Sequence, residues 1–157
     1  MNTVPVSKIK VESKLAVIRE SLSELEELAK IGKEEFLSDK KNYAVAEHYL
    51  RRALEAVFDI AGHIVSRYPM SAGKRPSTYK GLALILSEKK IVSEDFGKNT
   101  LIKMAGYRNR MVHFYDEITT QEMYEILQNK LSDIEIFAGA VVSLLKNPEN
   151  FNLTLEE

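Results

Sequence analysis

Apolar residues recur every three to four positions along most of this chain, which is the spacing of one face of an α-helix. Gly and Pro number only 7 and 4 in 157 residues, and they fall mainly between these periodic stretches. The pattern predicts an all-α fold, an up-and-down bundle of four long helices plus one short helix. Because neither a repeat nor a linker interrupts it, we expect residues 1–157 to form a single domain.

Local start and stop signals divide the chain into five predicted helices. Their approximate ranges are 7–31, 39–67, 78–89, 93–113 and 119–147. Ser93 is expected to cap the fourth helix, and Thr119 with Glu122 forms a capping-box pattern before the last one. Residues 69–77 form the one long loop. The tail from Glu149 to Glu157 is expected to fray, or to dock its apolar residues on a partner.

The composition removes several classes of site. The chain has no Cys and three scattered His, which excludes a disulfide scaffold and a thiolate zinc site. We therefore expect neither a metal nor a cofactor. No run approaches the roughly 18 apolar residues of a membrane span, and the first residues lack a signal-peptide pattern. The expected location is the cytoplasm, without a membrane partner.

The net charge of −1 argues at first against a nucleic-acid partner. The charge is unevenly distributed, however, because the segment from Arg67 to His113 carries seven more basic than acidic residues. Its ten basic residues are Arg67, Lys74, Arg75, Lys80, Lys89, Lys90, Lys98, Lys103, Arg108 and Arg110. Either these side chains gather into a phosphate-binding region near Arg108 and His113, or they are solvated separately and never converge.

A group of residues with possible chemistry ends this basic segment. On a helix, Asn109 and His113 share one face a turn apart, and Arg108 lies about 140° from His113 around the axis. An imidazole can accept or donate a proton near neutral pH, and a guanidinium can hold phosphate oxygens, so the pair suits phosphodiester cleavage without a metal. The alternative is structural. Cations stabilise the C-terminal end of a helix, and Tyr115 can simply cover the core.

The spacing of Arg108, His113 and Tyr115 is R-x4-H-x-Y, and it resembles the signature of the HEPN superfamily, the HepT toxins in particular. The resemblance extends from about Ala46 to Phe137. It includes a helix over residues 47–68, the stretch 76–118 that contains the motif, and a helix over residues 122–137, in the order and spacing of that family.

This resemblance implies a HEPN-like bundle that forms a homodimer and acts as a metal-independent endoribonuclease toxin on RNA, with tRNA the expected class. His113 would be the general base or acid and Arg108 the transition-state stabiliser. Asn109 matches a polar residue of the family, and Arg110 would be an additional phosphate contact. Tyr115 matches the tyrosine to which the partner, a minimal nucleotidyltransferase (MNT) antitoxin, adds AMP, which neutralises the toxin.

Two noncatalytic alternatives remain open within the same resemblance. In one, the HEPN cleft binds a nucleotide or RNA without cleaving it. In the other, the protein serves only as an interaction module for the nucleotidyltransferase. An intact set of Arg108, His113 and Tyr115 favours the enzyme, because a scaffold has no need of all three.

Other polar residues have weaker interpretations. His48 and His63 lack a partner at helical spacing for a metal site and are expected to be ordinary surface or core residues. Glu47 and Glu55 belong either to a solvated helix face or to the surroundings of the motif.

Tyr79 and Tyr107 flank basic residues. They either stack on bases, as aromatic residues do in single-strand binders, or belong to the core or its rim.

Overall fold

Seven α-helices dominate residues 4–71, 73–113 and 117–157, the part of the chain that the computed structural model describes. They are α1 (Lys8–Ala29), α2 (Lys33–Ser38), α3 (Lys40–Ser66), α4 (Tyr79–Glu88), α5 (Leu101–Val112), α6 (Thr120–Asn129) and α7 (Leu131–Lys146). A π-helical segment, Phe96–Thr100, leads into α5, and a 3-10 turn, Pro148–Phe151, follows α7. Two-residue strands, β1 (Val6–Ser7) and β2 (Leu155–Glu156), pair in parallel. The predicted all-α bundle is confirmed.

The long helices α1 and α3 form the framework of the bundle. Two ion pairs fix their relative direction: Lys14 reaches Asp59 at 3.0 Å, and Glu20, further along α1, lies 3.9 Å from Arg52, further back on α3. The helices therefore run antiparallel, as predicted. Their facing apolar stripes are buried, and they include Leu15, Ile18, Leu22 and Leu25 on α1 with Leu50, Leu54, Val57 and Ile64 on α3.

Two features of the helical pattern differ from the prediction. The short helix α2 lies between α1 and α3, where the sequence predicted a connection, and it buries Phe36 against the ring of Tyr124. The predicted last helix is divided at Lys130, which ends α6 and begins α7. The Gln128 amide donates to the carbonyl of Ala29 at 2.7 Å and so ties this break to the end of α1.

The predicted fraying of the C-terminal tail is wrong. Leu153 is buried, and the Tyr68 hydroxyl donates to the Phe151 carbonyl at 2.6 Å. The amide of Val6 donates to the carbonyl of Thr154, next to the parallel pairing of Val6 with Leu155. The tail thus packs on its own chain, because it covers the end of the bundle where α1 begins.

In the described ranges no helix combines the length and the apolar character that crossing a lipid bilayer requires.

Candidate active site around Arg108

Close packing of α4 on the segment before α5 positions the candidate site. Ser93 accepts a hydrogen bond from the Phe96 amide, which confirms it as the cap of this helical stretch. A methyl group on Gly97 would lie 2.5 Å from the Ser87 Cβ and 3.1 Å from the Ala83 carbonyl oxygen, so only glycine permits this approach. The π-helical geometry begins at the same place, and such irregular turns are frequent near functional sites. The start of α4 and the end of α5 therefore have a fixed relation.

Arg108 lies in a defined setting between α3, α4 and α5. Its guanidinium carbon is 4.7 Å from the centre of the Tyr79 ring, which it covers. Tyr79 is stacked on Phe58, with 4.7 Å between ring centres and 6° between planes. The Glu55 carboxylate is 3.6 Å from a terminal nitrogen of Arg108. The Arg108 side chain keeps 22% of its surface exposed. It is a held cation that still reaches solvent.

Arg110, the predicted additional phosphate contact, is engaged by residues of the chain itself. It donates to both oxygens of Glu122 at 2.7 Å and to the Glu117 carbonyl at 3.3 Å. The hydrogen bond from Arg110 holds the pKa of Glu122 below its usual value, against the opposing effect of burial. Nearby, the Tyr43 hydroxyl donates to the carbonyl of Ile118, which is buried. These contacts anchor the chain after the motif.

His113 ends α5, and its side chain is exposed. Its amide donates to the Asn109 carbonyl one turn earlier, and the Asn109 side chain is half-buried. His113 follows Arg108 by five positions, which corresponds to a rise of about 7.5 Å along a helix axis. Tyr115, the predicted acceptor of AMP, lies outside the described residues.

The structure also decides between the open interpretations of the flanking residues. Tyr79 belongs to the packing around the motif, because Phe58 stacks on its ring and the guanidinium of Arg108 lies over it. Tyr107 packs half-buried against the core, and burial raises the pKa of its hydroxyl. Glu55 faces the motif. The sequence could not predict these neighbours of Arg108, because Glu55 and Tyr79 contact it only when α3 and α4 pack against α5.

Half of the ten basic residues of the segment 67–113 are engaged by partners of their own in the described structure. Arg67 contacts His63, Arg75 donates to the Tyr68 carbonyl, Lys89 lies over the Tyr68 ring, Lys98 pairs with Glu94, and Arg110 pairs with Glu122. Arg67 also lies far from the site, because it follows Glu55, the partner of Arg108, by twelve helical positions, or about 18 Å along the axis of α3. The uneven charge of the sequence therefore gives little support to a phosphate-binding region, and the local geometry of Arg108 has to carry that interpretation.

The two histidines of α3 are a surface and a core residue, as predicted. His48 is exposed, whereas His63 is buried and its Nε2 accepts a hydrogen bond from the Ser7 amide at 3.0 Å. Burial, assisted by nearby Arg67 and Lys10, lowers the pKa of His63 to about 4. Among the described side chains, no group of three or more His, Asp or Glu residues is arranged to hold a metal ion.

Residues 18–141 match the protein family described as ribonuclease HepT-like. A tRNA nuclease HepT from Aphanizomenon flos-aquae is 24% identical over 152 residues, which cover 97% of this chain and 96% of the relative. An mRNA nuclease HepT from Shewanella oneidensis is 29% identical over 92 residues, which cover 59% of this chain and 66% of that relative.

A solved structure has the same fold. The tri-AMPylated HEPN toxin of Shewanella oneidensis, in complex with its MNT antitoxin, matches with a TM-score of 0.75 and 25% sequence identity. The match covers 85% of this chain and 97% of the compared one.

Proposed function

The chain belongs to the ribonuclease HepT-like family, as its motif suggested, and from this premise we propose that it is a metal-independent endoribonuclease toxin of a HEPN/MNT toxin–antitoxin pair. The observation that carries the proposal is the state of Arg108. Its guanidinium is held against Tyr79, partly exposed, on the same helix as His113. A positioned, solvent-accessible guanidinium five residues before an exposed imidazole is suited to a phosphodiester.

Cleavage then needs only groups of the protein and the RNA. The imidazole of His113 accepts the proton of a ribose 2′-hydroxyl, and the 2′-oxygen forms a bond to the adjacent phosphorus. The bond from phosphorus to the 5′-oxygen breaks, and that oxygen takes a proton from an imidazolium. Arg108 stabilises the charge that grows on the phosphate oxygens. The products are a 2′,3′-cyclic phosphate and a 5′-hydroxyl.

A homodimer would complete this acid–base pair. Two motif helices near a two-fold axis would bring His113 of the partner subunit to the same cleft, so that one imidazole accepts a proton while the other donates one. Val112, directly before His113, is an exposed apolar residue and is suited to a contact between the copies.

We propose tRNA in the cytoplasm as the substrate, because the relative that covers nearly the whole chain is a tRNA nuclease. Control would come from an MNT antitoxin, as suggested by the AMPylated toxin seen with such a partner. The Tyr115 hydroxyl would attack the α-phosphate of ATP, forming a tyrosyl–AMP bond and releasing pyrophosphate. Each added phosphate is an anion, which competes with RNA for the charge of Arg108.

Incubation of the purified protein with tRNA in excess EDTA tests the nuclease. We expect cleavage to a 2′,3′-cyclic phosphate end, and a loss of about 100-fold or more in His113→Ala and in Arg108→Lys. His48→Ala, an exposed histidine of α3, is the matched control and should cleave normally. Undiminished cleavage by His113→Ala would refute the catalytic assignment. Tight binding of tRNA without any product would favour the noncatalytic alternative.

Incubation with the antitoxin and ATP tests the proposed regulation by AMP addition. The intact mass should increase by AMP units and RNA cleavage should fall, whereas Tyr115→Phe should stay unmodified and active. Addition of AMP to Tyr115→Phe at the normal rate would exclude Tyr115 as the acceptor.

A further inference from the structure

Two side chains from different parts of the chain contact the Tyr79 ring, Phe58 by stacking and Arg108 through its guanidinium. The two rings are nearly parallel, and the guanidinium carbon lies as far from the Tyr79 centre as the Phe58 ring does, 4.7 Å in each case. Phe58 is buried and supports the Tyr79 ring from the core, whereas the Arg108 side chain remains partly exposed to solvent. An arginine stacked on an aromatic face keeps a fixed plane.

The donors of this guanidinium that a phosphate could reach are its two terminal nitrogens. Its distance to Glu55, 3.6 Å, is an ion-pair distance and too long for a hydrogen bond. Its Nε is buried without a hydrogen-bond partner among the described residues, so this donor is closed to a phosphate from solvent and the terminal nitrogens are the ones that remain. Arg110 on the same helix differs, because Glu122 engages it through two hydrogen bonds of 2.7 Å. Stacking immobilises Arg108 through its face, whereas hydrogen bonding immobilises Arg110 through the donors that a phosphate would need.

The backbone around Tyr79 is fixed as well. Tyr79 is the first residue of α4, and the Thr78 hydroxyl caps that helix by accepting a hydrogen bond from the Gly81 amide at 3.0 Å. A methyl group at Gly81 would lie 2.7 Å from the Cβ of Pro76, so the preceding loop packs tightly on the first turn. The ring over Arg108 is thus placed by a well-determined turn.

We infer that Tyr79 is a positioning residue for Arg108: its ring, supported by Phe58, holds the guanidinium in place with its terminal nitrogens open to a phosphate before RNA binds. The inference rests on the proposed ribonuclease activity, in which Arg108 stabilises the transition state. A guanidinium that is already oriented loses little freedom when the reacting phosphate becomes charged. The ring performs this role, and the hydroxyl is dispensable.

Two substitutions separate the ring from the hydroxyl. Tyr79→Phe keeps the stack and should retain kcat within about twofold, whereas Tyr79→Leu removes the aromatic face and should lower kcat about tenfold or more with little change in KM. Tyr124→Leu removes a half-buried tyrosine that packs on Phe36 instead, and it controls for a general loss of packing. Normal kcat in Tyr79→Leu, or an equal loss in Tyr79→Phe, would overturn the inference.

A second measurement does not depend on cleavage. Relaxation of the Arg108 side-chain Nε–H group, assigned by its absence in Arg108→Lys, reports directly on the order of the guanidinium. We expect an ordered group in the wild type and in Tyr79→Phe, and a mobile group in folded Tyr79→Leu. Unchanged order in Tyr79→Leu would refute the positioning role. The wild type could prove unable to cleave RNA while Tyr79→Leu still loses the order of the guanidinium. That combination would support the positioning role and refute only the proposed function.

Discussion

Arg110 donates two hydrogen bonds to Glu122, one to each carboxylate oxygen and both 2.7 Å long. This bidentate pair joins the end of α5 to the first turn of α6, across the residues that follow the motif. Both side chains are about 30% exposed, so water screens the pair only in part. The contact keeps the C-terminal end of the motif helix in place.

Arg110→Ala should therefore destabilise the fold by about 2 kcal/mol, the usual effect of losing hydrogen bonds to a charged group. Urea unfolding measures the change. Lys98→Ala removes an exposed pair on one helix, with Glu94, and should change stability by about 0.5 kcal/mol or less. Equal effects of the two substitutions would contradict the anchoring role of Arg110.

The sequence predicted the parts of the fold that are determined locally. The apolar stripe from Leu15 to Leu25 and the caps at Ser93 and Thr119 follow from helical spacing and short-range hydrogen bonds, and the structure confirms them. The short helix α2 and the docked tail were missed, because a few apolar residues such as Phe36 and Leu153 reveal their role only when distant elements cover them.

The same distinction applies to the site. The spacing between Arg108 and His113 is local and could be recognised, whereas the side chains that surround each arginine could not. Arg108 and Arg110 look equivalent in the sequence. The structure distinguishes them by their partners, because the Tyr79 ring lies against Arg108 and the Glu122 carboxylate accepts two hydrogen bonds from Arg110.

Gly97 and Gly106 provide a matched pair for testing the contact between α4 and the segment before α5. A methyl group at Gly97 would overlap the Ser87 Cβ at 2.5 Å, so Gly97→Ala should destabilise the protein by about 1–3 kcal/mol through overpacking. A methyl group at Gly106, within α5, meets nothing within 4 Å, and Gly106→Ala should stabilise by about 0.5–1 kcal/mol. Thermal unfolding distinguishes the two signs. A stable Gly97→Ala protein would mean that the helices separate without cost.

The docked tail makes a prediction that the frayed alternative does not. Leu153 is 2% exposed, and Leu153→Ala should cost about 2–4 kcal/mol as a buried leucine does. Leu84→Ala, at a leucine that is 45% exposed, controls for the same chemical change and should cost less than about 1 kcal/mol. If chemical denaturation gave equal midpoints for Leu153→Ala and wild type, the tail would not be part of the core.

Buried His63 makes stability depend on pH. Its pKa is about 4 in the folded chain, because burial and the cations Arg67 and Lys10 disfavour its charged form, whereas an unfolded histidine titrates near 6.5. Between these values the unfolded chain binds a proton that the folded chain does not. Acidification therefore favours unfolding, and the effect is absent above about pH 7.5 and largest below about pH 4.

We expect the protonation of His63 to lower the free energy of unfolding by about 2 kcal/mol when the pH falls from 7.5 to 5. His63→Gln, whose amide oxygen can accept the Ser7 hydrogen bond, should lose that part of the pH dependence even if its stability at neutral pH is lower. His48→Gln, at the exposed histidine, should keep the wild-type slope. Denaturation curves at half-unit pH intervals measure all three proteins. If the unfolding free energies of wild type and His63→Gln changed equally with pH, His63 would become protonated in the folded protein without penalty. Its burial would then not be the cause of the lower stability in acid.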